Sequence, residues 1–478
     1  MRKITAVALL PLLLTGCNLG PKYNRPTVQP PANFYPEEQI KQISIADQAW
    51  WELFKDPVLQ DLIREALRNN YDLQLAVARV EQEQALLGVT RSQYYPQVNY
   101  GGRISGQEAV APVIPNHTYY SYNFSTIWEI DLFGRIRKLN EAQRAVYFSS
   151  EEARRDVRLL VMAEVAQGYF QLRALDEQLE IAHRTVKSFQ DTLDIFQHRL
   201  EGGYASGLET ARAQAALSNV AAAIPDFERQ VVAQENALDL LLGRNPGPIA
   251  RGTPLAGQYD PPEVPAGLPA TLLERRPDLR EAEQNLIAAN ANVGVAKANF
   301  FPTISLTGLF GGISPQLSEL TGTGKAWSVA GNLAGPLFTA GRLKNEYRAS
   351  QALRDQAKIS FEKAVTQAFG EVSTSLSAHQ QLANAYREQT TSVDAYRESV
   401  RLASTRYDSG LASYLDVVDA QIQMYPAESA TVNYDLGRKL ALVDLYRALG
   451  GGWKLSDADW QNMTVTAPAT GAQPKTTP

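Results

Sequence analysis

Two hydrophobic periods alternate along the chain, and the alternation occurs twice. From Pro57 to about Gln93 apolar residues recur at helical spacing in a stretch rich in Ala, Leu, Gln and Glu, with Pro57 suited to a first helical turn. After Tyr94-Tyr95-Pro96 the period drops to two. Val98, Tyr100, Gly102 and Ile104 alternate with Gln97, Asn99, Arg103 and Ser105. Tyr120, Tyr122, Phe124, Thr126, Trp128, Ile130 and Leu132 alternate with Ser121, Asn123, Ser125, Glu129 and Asp131. Only a strand sorts side chains onto two faces in this way. A helical pattern then runs from about Arg137 to Leu200 without proline, turns between Gly202 and Gly207, and returns. The same order follows again. A helix covers roughly Pro269 to Asn299, and Phe300-Phe301-Pro302 leads into strands where Ile304, Leu306 and Phe310 alternate with Thr303, Ser305 and Thr307. Trp327, Val329 and Leu333 alternate with Ser328 and Asn332, a long helix runs from Arg342 to Arg406, and a turn at Ser409-Gly410 opens a second return helix.

The recurrence is a duplication. Asp278 follows Asp72, and Pro302 follows Pro96, each by 206 residues (278 − 72; 302 − 96). Leu132-Phe133-Gly134-Arg135 returns as Leu337-Phe338-Thr339-Ala340-Gly341-Arg342, and Leu241-Leu242-Gly243 as Ala448-Leu449-Gly450. At the turns, Tyr204-Ala205-Ser206-Gly207-Leu208 matches Tyr407-Asp408-Ser409-Gly410-Leu411. The expected division is a signal peptide over 1–16, an extended segment over 17–56, repeat 1 over 57–243 and a proline-rich linker over 244–268. Repeat 2 then covers 269–450, and a C-terminal segment and tail cover 451–478. Each long helix of about 65 residues would rise roughly 95 Å, which reads as antiparallel coiled coil. Pro225 and Pro426, each inside a return helix, are expected to kink it.

Strands of about ten residues, one apolar face and aromatic residues at the strand ends (Tyr94, Tyr95, Phe300, Phe301, Trp327, Phe338) match membrane β-barrel strands and their aromatic girdles. Four strands cannot close such a barrel, and open edges are not tolerated in lipid, so copies must combine. Two copies give eight strands and three give twelve; a wide lumen favours the larger number.

Composition narrows the setting. A net charge of −5 and a pI near 5.6 argue against a nucleic-acid partner. Met1-Arg2-Lys3, a short apolar run and Leu14-Thr15-Gly16-Cys17 read as a lipoprotein signal, with cleavage before Cys17 and acylation of that residue, followed by Asn18. Cys17 is the only cysteine, so no intrachain disulfide can form. The four histidines (His117, His183, His198, His379) lack metal-ligand spacing, and no catalytic constellation stands out; neither a metal nor another cofactor is expected beyond the lipid on Cys17.

Several segments carry a family resemblance: Val264-Pro265-Ala266-Gly267-Leu268-Pro269 through Leu272-Leu273-Glu274-Arg275-Arg276-Pro277-Asp278-Leu279, Phe300-Phe301-Pro302-Thr303-Ile304-Ser305-Leu306-Thr307-Gly308, Glu129-Ile130-Asp131-Leu132-Phe133-Gly134-Arg135 and Ala448-Leu449-Gly450-Gly451-Gly452-Trp453. Together they resemble the outer-membrane factors of tripartite efflux pumps, in the lipoprotein subgroup that serves resistance-nodulation-division transporters. The resemblance implies an α+β membrane protein: a homotrimeric twelve-stranded β-barrel, four strands per chain, continued by a periplasmic α-helical barrel. An equatorial belt would form from the N-terminal, inter-repeat and C-terminal segments. It also implies a periplasmic adaptor and an inner-membrane transporter as partners, location in a Gram-negative outer membrane and export of toxic small molecules. Channels for protein secretion or metal export, or a non-channel periplasmic coiled-coil scaffold, are the alternative readings.

The resemblance maps the periplasmic constriction onto the second return helix, where Asp416 and Asp419 share a helical face one turn apart beside Leu415. In a trimer they would form rings of carboxylates able to hold hydrated cations and reject anions. Read from composition alone, they are acids decorating a helix start. Aligning Gly207 with Gly410 places Asp416 over Ala213 and Asp419 over Ala216, so the expectation is that only the second repeat lines the gate. Arg406, Tyr407, Gly410, Tyr204 and Gly207 are tip or latch candidates.

Overall fold

A computed structural model describes residues 19–29, 31, 44–107, 117–204, 206–259, 272–322 and 324–462. Cys17 and the tail beyond 462 lie outside the described residues. The chain forms two compact units. The first contains 1–28, 77–153 and 278–364; the second contains 29–76, 154–277 and 365–478.

The first unit holds one antiparallel sheet, β1 (Gln97–Gln107), β2 (His117–Ile130), β3 (Thr303–Ser314) and β4 (Lys325–Ala334), paired in that order, so that β2 and β3 join the two repeats. The register turns the sequence alternation into two surfaces. Tyr100, Phe124, Phe310 and Trp327 stand in one row across all four strands, and Val98 and Thr126 stand in the next with Gly308 and Val329. This face is almost wholly apolar, and its large side chains are exposed. The opposite face is mainly polar, carrying Gln97, Asn99, Ser121, Asn123, Ser125, Ser305, Thr307, Ser328 and Asn332, with Ile127, Leu309 and Ile313 among them. Strands β1 and β4 each have a single neighbour, which leaves two open edges. At the base of β2, Asp131 accepts hydrogen bonds from the backbone amides of Ile136 (3.1 Å) and Arg137 (2.8 Å) and so starts the next helix with a negative charge at its positive end. Among the described residues no helix is long and apolar enough to cross a membrane. The apolar surface that could meet lipid is the sheet.

The long helices are α4 (Arg135–Glu201) and α9 (Arg342–Asp408), 67 residues each. Shorter helices α1 (Trp50–Leu53), α2 (Pro57–Asn69) and α3 (Tyr71–Ser92) precede β1; α5 (Gly207–Ala221) and α6 (Ala223–Leu241) follow α4. Then come α7 (Leu272–Arg275) and α8 (Pro277–Ala298), and after α9 α10 (Tyr414–Ala448) and α11 (Asp457–Asn462). The continuous helix expected over 57–93 is broken at Asn70, and the one expected over 269–299 is broken at Arg276. These are the same place in each repeat (276 − 70 = 206). Both residues are buried and both leave the helix to serve another: Asn70 Nδ2 donates to the Leu241 carbonyl at 2.9 Å, and Arg276 Nη1 to the Ala448 carbonyl at 3.0 Å. Each side chain thus satisfies a carbonyl that a helix end leaves without an intrahelical donor. Arg276 also pairs with Glu371 at 2.8 Å.

The core of the second unit gathers Trp50, Leu53, Phe54, Met162, Tyr169, Phe170, Val372, Leu445 and Tyr446. The prolines of the return helices behave differently from each other. Pro225 lies at the third position of α6, and the helix breaks at Ala222, where the missing proline N–H deprives the Ala221 carbonyl of its donor. Pro426 sits inside α10, which continues uninterrupted past it.

Candidate functional site: helical tip, belt and barrel wall

The two hairpin turns are built alike, and their hydrogen bonds set the register between the repeats. Gly202, Gly203 and Tyr204 donate their amides to the carbonyls of His198, Leu200 and Arg199; Ser409, Gly410 and Leu411 donate theirs to Thr405, Tyr407 and Arg406. Gly203 and Gly410 occupy the left-handed region at φ +75° and +71°, the conformation that ends a helix most easily without a Cβ. Ser206 and Ser413 precede the return helices, and Glu209 and Asp416 occupy the third position of each. Every pair differs by 207 (410 − 203; 413 − 206; 416 − 209), as do the helix starts Arg135 and Arg342. The alignment of Gly207 with Gly410 is therefore wrong by four residues, one helical turn. Asp416 corresponds to Glu209 rather than Ala213, and Asp419 corresponds to Arg212 rather than Ala216. Pro225 and Pro426 are not equivalent either; their counterparts are Val432 and Asn219.

The correction changes what each residue says. An acid at position 416 or 209 belongs to a helix start in both copies, where it meets the positive end of the dipole. At 419 and 212 the copies carry opposite charges. Ala213 and Ala216 are buried with Phe189, Leu193, Phe196 and Leu217, a packing role that the aspartates do not share. Leu415 is 37% exposed, and Asp416 and Asp419 are exposed. Asp419, Leu415, Ile422, Tyr425 and Pro426 line one wall of a groove of about 510 Å³; Arg212, Ala216 and Asn219 of α5 line the other.

Tyr407 packs edge-on against Tyr414 at 4.7 Å, and Tyr414 against Phe196 at 5.3 Å. The Arg199 guanidinium lies 4.9 Å over the Tyr407 ring, and the Tyr414 hydroxyl meets Thr192 Oγ1 at 3.2 Å. These contacts tie the start of α10 to α4 of the first repeat. Tyr204, by contrast, is 87% exposed, and Arg406 is exposed.

A second cluster links distant segments of the second unit. Asp56 is buried and accepts four hydrogen bonds: from the Val58 amide (2.9 Å), the Tyr169 hydroxyl (3.0 Å), the Thr253 amide (2.9 Å) and Gln258 Nε2 (2.7 Å). Burial, with Asp56 close by, raises the Tyr169 phenol well above its ordinary range, so it stays a donor. Nearby, Asp47 accepts from Trp453 Nε1 (3.1 Å) and pairs with Lys454 (3.1 Å) and Arg275 (3.4 Å). Desolvation works to raise its carboxyl, but the bonds from Lys454 and Trp453 outweigh that and hold it below the usual value. Asp457 is lowered in the same way by Arg154 and Arg158, while Arg158 also lies 4.5 Å over Trp460. N-terminal, inter-repeat and C-terminal segments thus meet through buried or partly buried polar contacts. Sequence periodicity gave no sign of them.

The aromatic residues at the strand ends separate into two groups. Tyr94, Tyr95, Phe300, Phe301 and Phe338 flank the ends of β1, β3 and β4 that adjoin helices, where Phe301 stacks on Phe133 at 4.9 Å and Trp128 Nε1 donates to the Tyr94 carbonyl. Trp327 lies at the other end, opposite Phe310. Among the described residues no group of three or more His, Cys, Asp or Glu could hold a metal ion.

A sheet that is apolar on one face, polar on the other and open at both edges, joined to helical hairpins of this length, defines a subunit of an outer-membrane channel. The chain belongs to the Outer membrane efflux protein family, whose model matches residues 62–244 and 268–451, once in each repeat. It is 36% identical over 461 residues to the solvent efflux pump outer membrane protein SrpC of Pseudomonas putida, spanning 93% of this chain and 97% of that one. It is 32% identical over 446 residues to the "Probable outer membrane lipoprotein SilC" of Salmonella typhimurium, spanning 92% and 97%. Among solved structures, the open state of the Neisseria gonorrhoeae MtrE outer membrane channel superposes with a TM-score of 0.84 at 32% identity, covering 91% of this chain and 99% of that one. The protein is an outer-membrane efflux channel: three copies close its four-stranded sheets into a twelve-stranded barrel, and the long hairpins form its helical part. Its family is one of ducts and not of enzymes.

Proposed function

We propose that this channel is the lipid-anchored exit duct of a tripartite pump for toxic small molecules, and that the second return helix closes it. The observation that carries the gate is the charge reversal at equivalent positions of α5 and α10, Arg212 against Asp419, beside the exposed Leu415. In a threefold assembly Asp419 and Asp416 become rings of carboxylates that repel one another, hold hydrated cations and exclude anions, while Leu415 narrows the opening. The Tyr407–Tyr414–Phe196 stack holds the start of α10, and with it Leu415 and Asp416, against α4 in the closed state. Acylation at Cys17 is supported by the lipoprotein signal and by the name of SilC; the cargo class is supported by the name of SrpC. An adaptor in the periplasm and an inner-membrane transporter complete the pump.

The test is single-channel recording in planar bilayers. Asp416→Ala with Asp419→Ala should raise the leak conductance severalfold and reduce cation preference. Conductance and selectivity equal to those of the unaltered channel would overturn the gate. Expression in an efflux-deficient host, with and without Cys17→Ser, reads cargo export and anchoring separately.

A further inference from the structure

We infer that the barrel lumen carries an anion-binding ring formed by Arg103 from the three copies, in the half of the barrel away from the helices. The four strands contain three charged residues, Arg103, Glu129 and Lys325. The register fixes the face of each. Lys325 pairs with Gly312 on the apolar face at the far strand end, where a long cationic side chain can reach headgroups. Glu129 is on the polar face but is neutralised by Arg135, whose Nε and Nη2 donate to its two oxygens at 2.9 and 2.7 Å. Arg103 is also on the polar face, opposite Ser121, and among the described residues no carboxylate pairs with it. It is the one strand charge that faces the lumen uncompensated.

Its surroundings suit a bound anion. Beside it Gly101, Asn123 and Gly311 form one row across three strands, and the two absent side chains leave a hollow of about 390 Å³ bordered by Arg103, Ser121 and Asn123, with Leu309 and Ile313 completing its wall. The guanidinium and the Asn123 side-chain amide there supply donors for sulfonate or phosphate oxygens, while the Ser121 hydroxyl donates to the Arg103 carbonyl at 3.3 Å. Arg103 is the seventh residue of β1, roughly 20 Å along the strand from its helical end, which places the ring in the outer half of an apolar band about 25 Å tall. Threefold symmetry brings the three cations to one level, so the favoured ligand is a small anion bearing two or more negative charges.

The probe is pyranine, a rigid trisulfonate, titrated into the detergent-solubilised full-length trimer at low salt and followed by fluorescence anisotropy. One molecule should bind per trimer, about tenfold more weakly when three unit charges are removed by Arg103→Ser, and within about threefold of normal in Arg103→Lys. Raising the salt should weaken binding to the unaltered trimer and leave the Ser variant nearly unchanged. Absence of binding, three sites per trimer, or equal affinity in Arg103→Ser would each overturn the ring. Trimer migration in native gels checks that each variant is assembled.

Discussion

Removing the Asp56 carboxylate should loosen the inter-repeat segment without touching the channel wall. In Asp56→Ala the Thr253 amide and the Tyr169 hydroxyl lose their acceptor inside the protein, and Gln258 keeps one of its two bonds because its Nε2 also donates to the Thr253 carbonyl at 2.7 Å. Each buried donor left unsatisfied costs about 1–3 kcal/mol, and the lost cap on α2 about 1 kcal/mol more. Removing a buried charge returns part of this, so a net loss of about 3 kcal/mol is expected, equivalent to roughly a hundredfold in a local opening equilibrium. Trypsin reads that opening at Arg251, which is held by Asp176 and Glu235 in the closed segment. When closing outpaces cleavage, the cutting rate follows the open population. Cleavage after Arg251 should therefore accelerate by about two orders of magnitude in the variant. Asp56→Asn should be clearly milder than Asp56→Ala, since Oδ2 alone accepts from Tyr169, Thr253 and Gln258 and an amide oxygen placed there loses only the bond from the Val58 amide. An acceleration below threefold in Asp56→Ala would refute the assignment of Asp56 as the hub of these segments.

Three further outcomes follow from equally local features. Gly243→Ala places a Cβ 2.2 Å from the Asn69 carbonyl oxygen at φ +68°, whereas in Gly450→Ala the nearest atom is at 3.1 Å, so the first substitution should lower the denaturation midpoint clearly more than the second. Asp47 and Asp457 have folded pKa values below their unfolded ones; their contribution is present above about pH 4 and is lost as pH falls through the folded values. Trp453 and Trp460 fluorescence should report loosening in that acid window, and Asp457→Asn should flatten the response for α11. At the tip, Arg212→Ala should leave ion selectivity unchanged while Asp419→Ala shifts it toward anions; equal effects in bilayer recordings would remove the functional difference between the repeats.

What could be read in the sequence was whatever has a period. The strands, their two faces and the long helices follow from alternation and from the absence of proline, and the register rows Tyr100–Phe124–Phe310–Trp327 place together the residues that alternation had assigned to one face. Features without a period were lost. Asn70 carried only a weak signal, that of a residue type favoured at helix caps: its Oδ1 accepts from the Leu73 amide at 3.0 Å to cap α3, while its Nδ2 donates to the distant Leu241 carbonyl. Arg276 stands before Pro277, which disfavours helical backbone, so that break did have a signal. Asp56, Tyr169, Thr253 and Gln258 lie up to 202 positions apart, beyond any local window.

The register of the two hairpin turns bears on mechanism. Tyr204-x-Ser206-Gly207-Leu208 and Tyr407-x-Ser409-Gly410-Leu411 match in residue identity while lying four residues out of phase, and periodicity does not expose the mismatch because a slip of four nearly preserves which helical face a side chain occupies at 3.6 residues per turn. Hydrogen bonds do not tolerate such a slip, and they fix the turns at 207. With that register the acids near the turn cease to be a single class. Glu209 and Asp416 recur because any helix start favours them; Arg212 and Asp419 differ where nothing in the helix demands a difference. Two hairpins that share turn, cap and terminal glycine therefore diverge in the sign of one exposed charge. That divergence, and not the presence of aspartate itself, is what supports the proposal that α10 rather than α5 forms the gate.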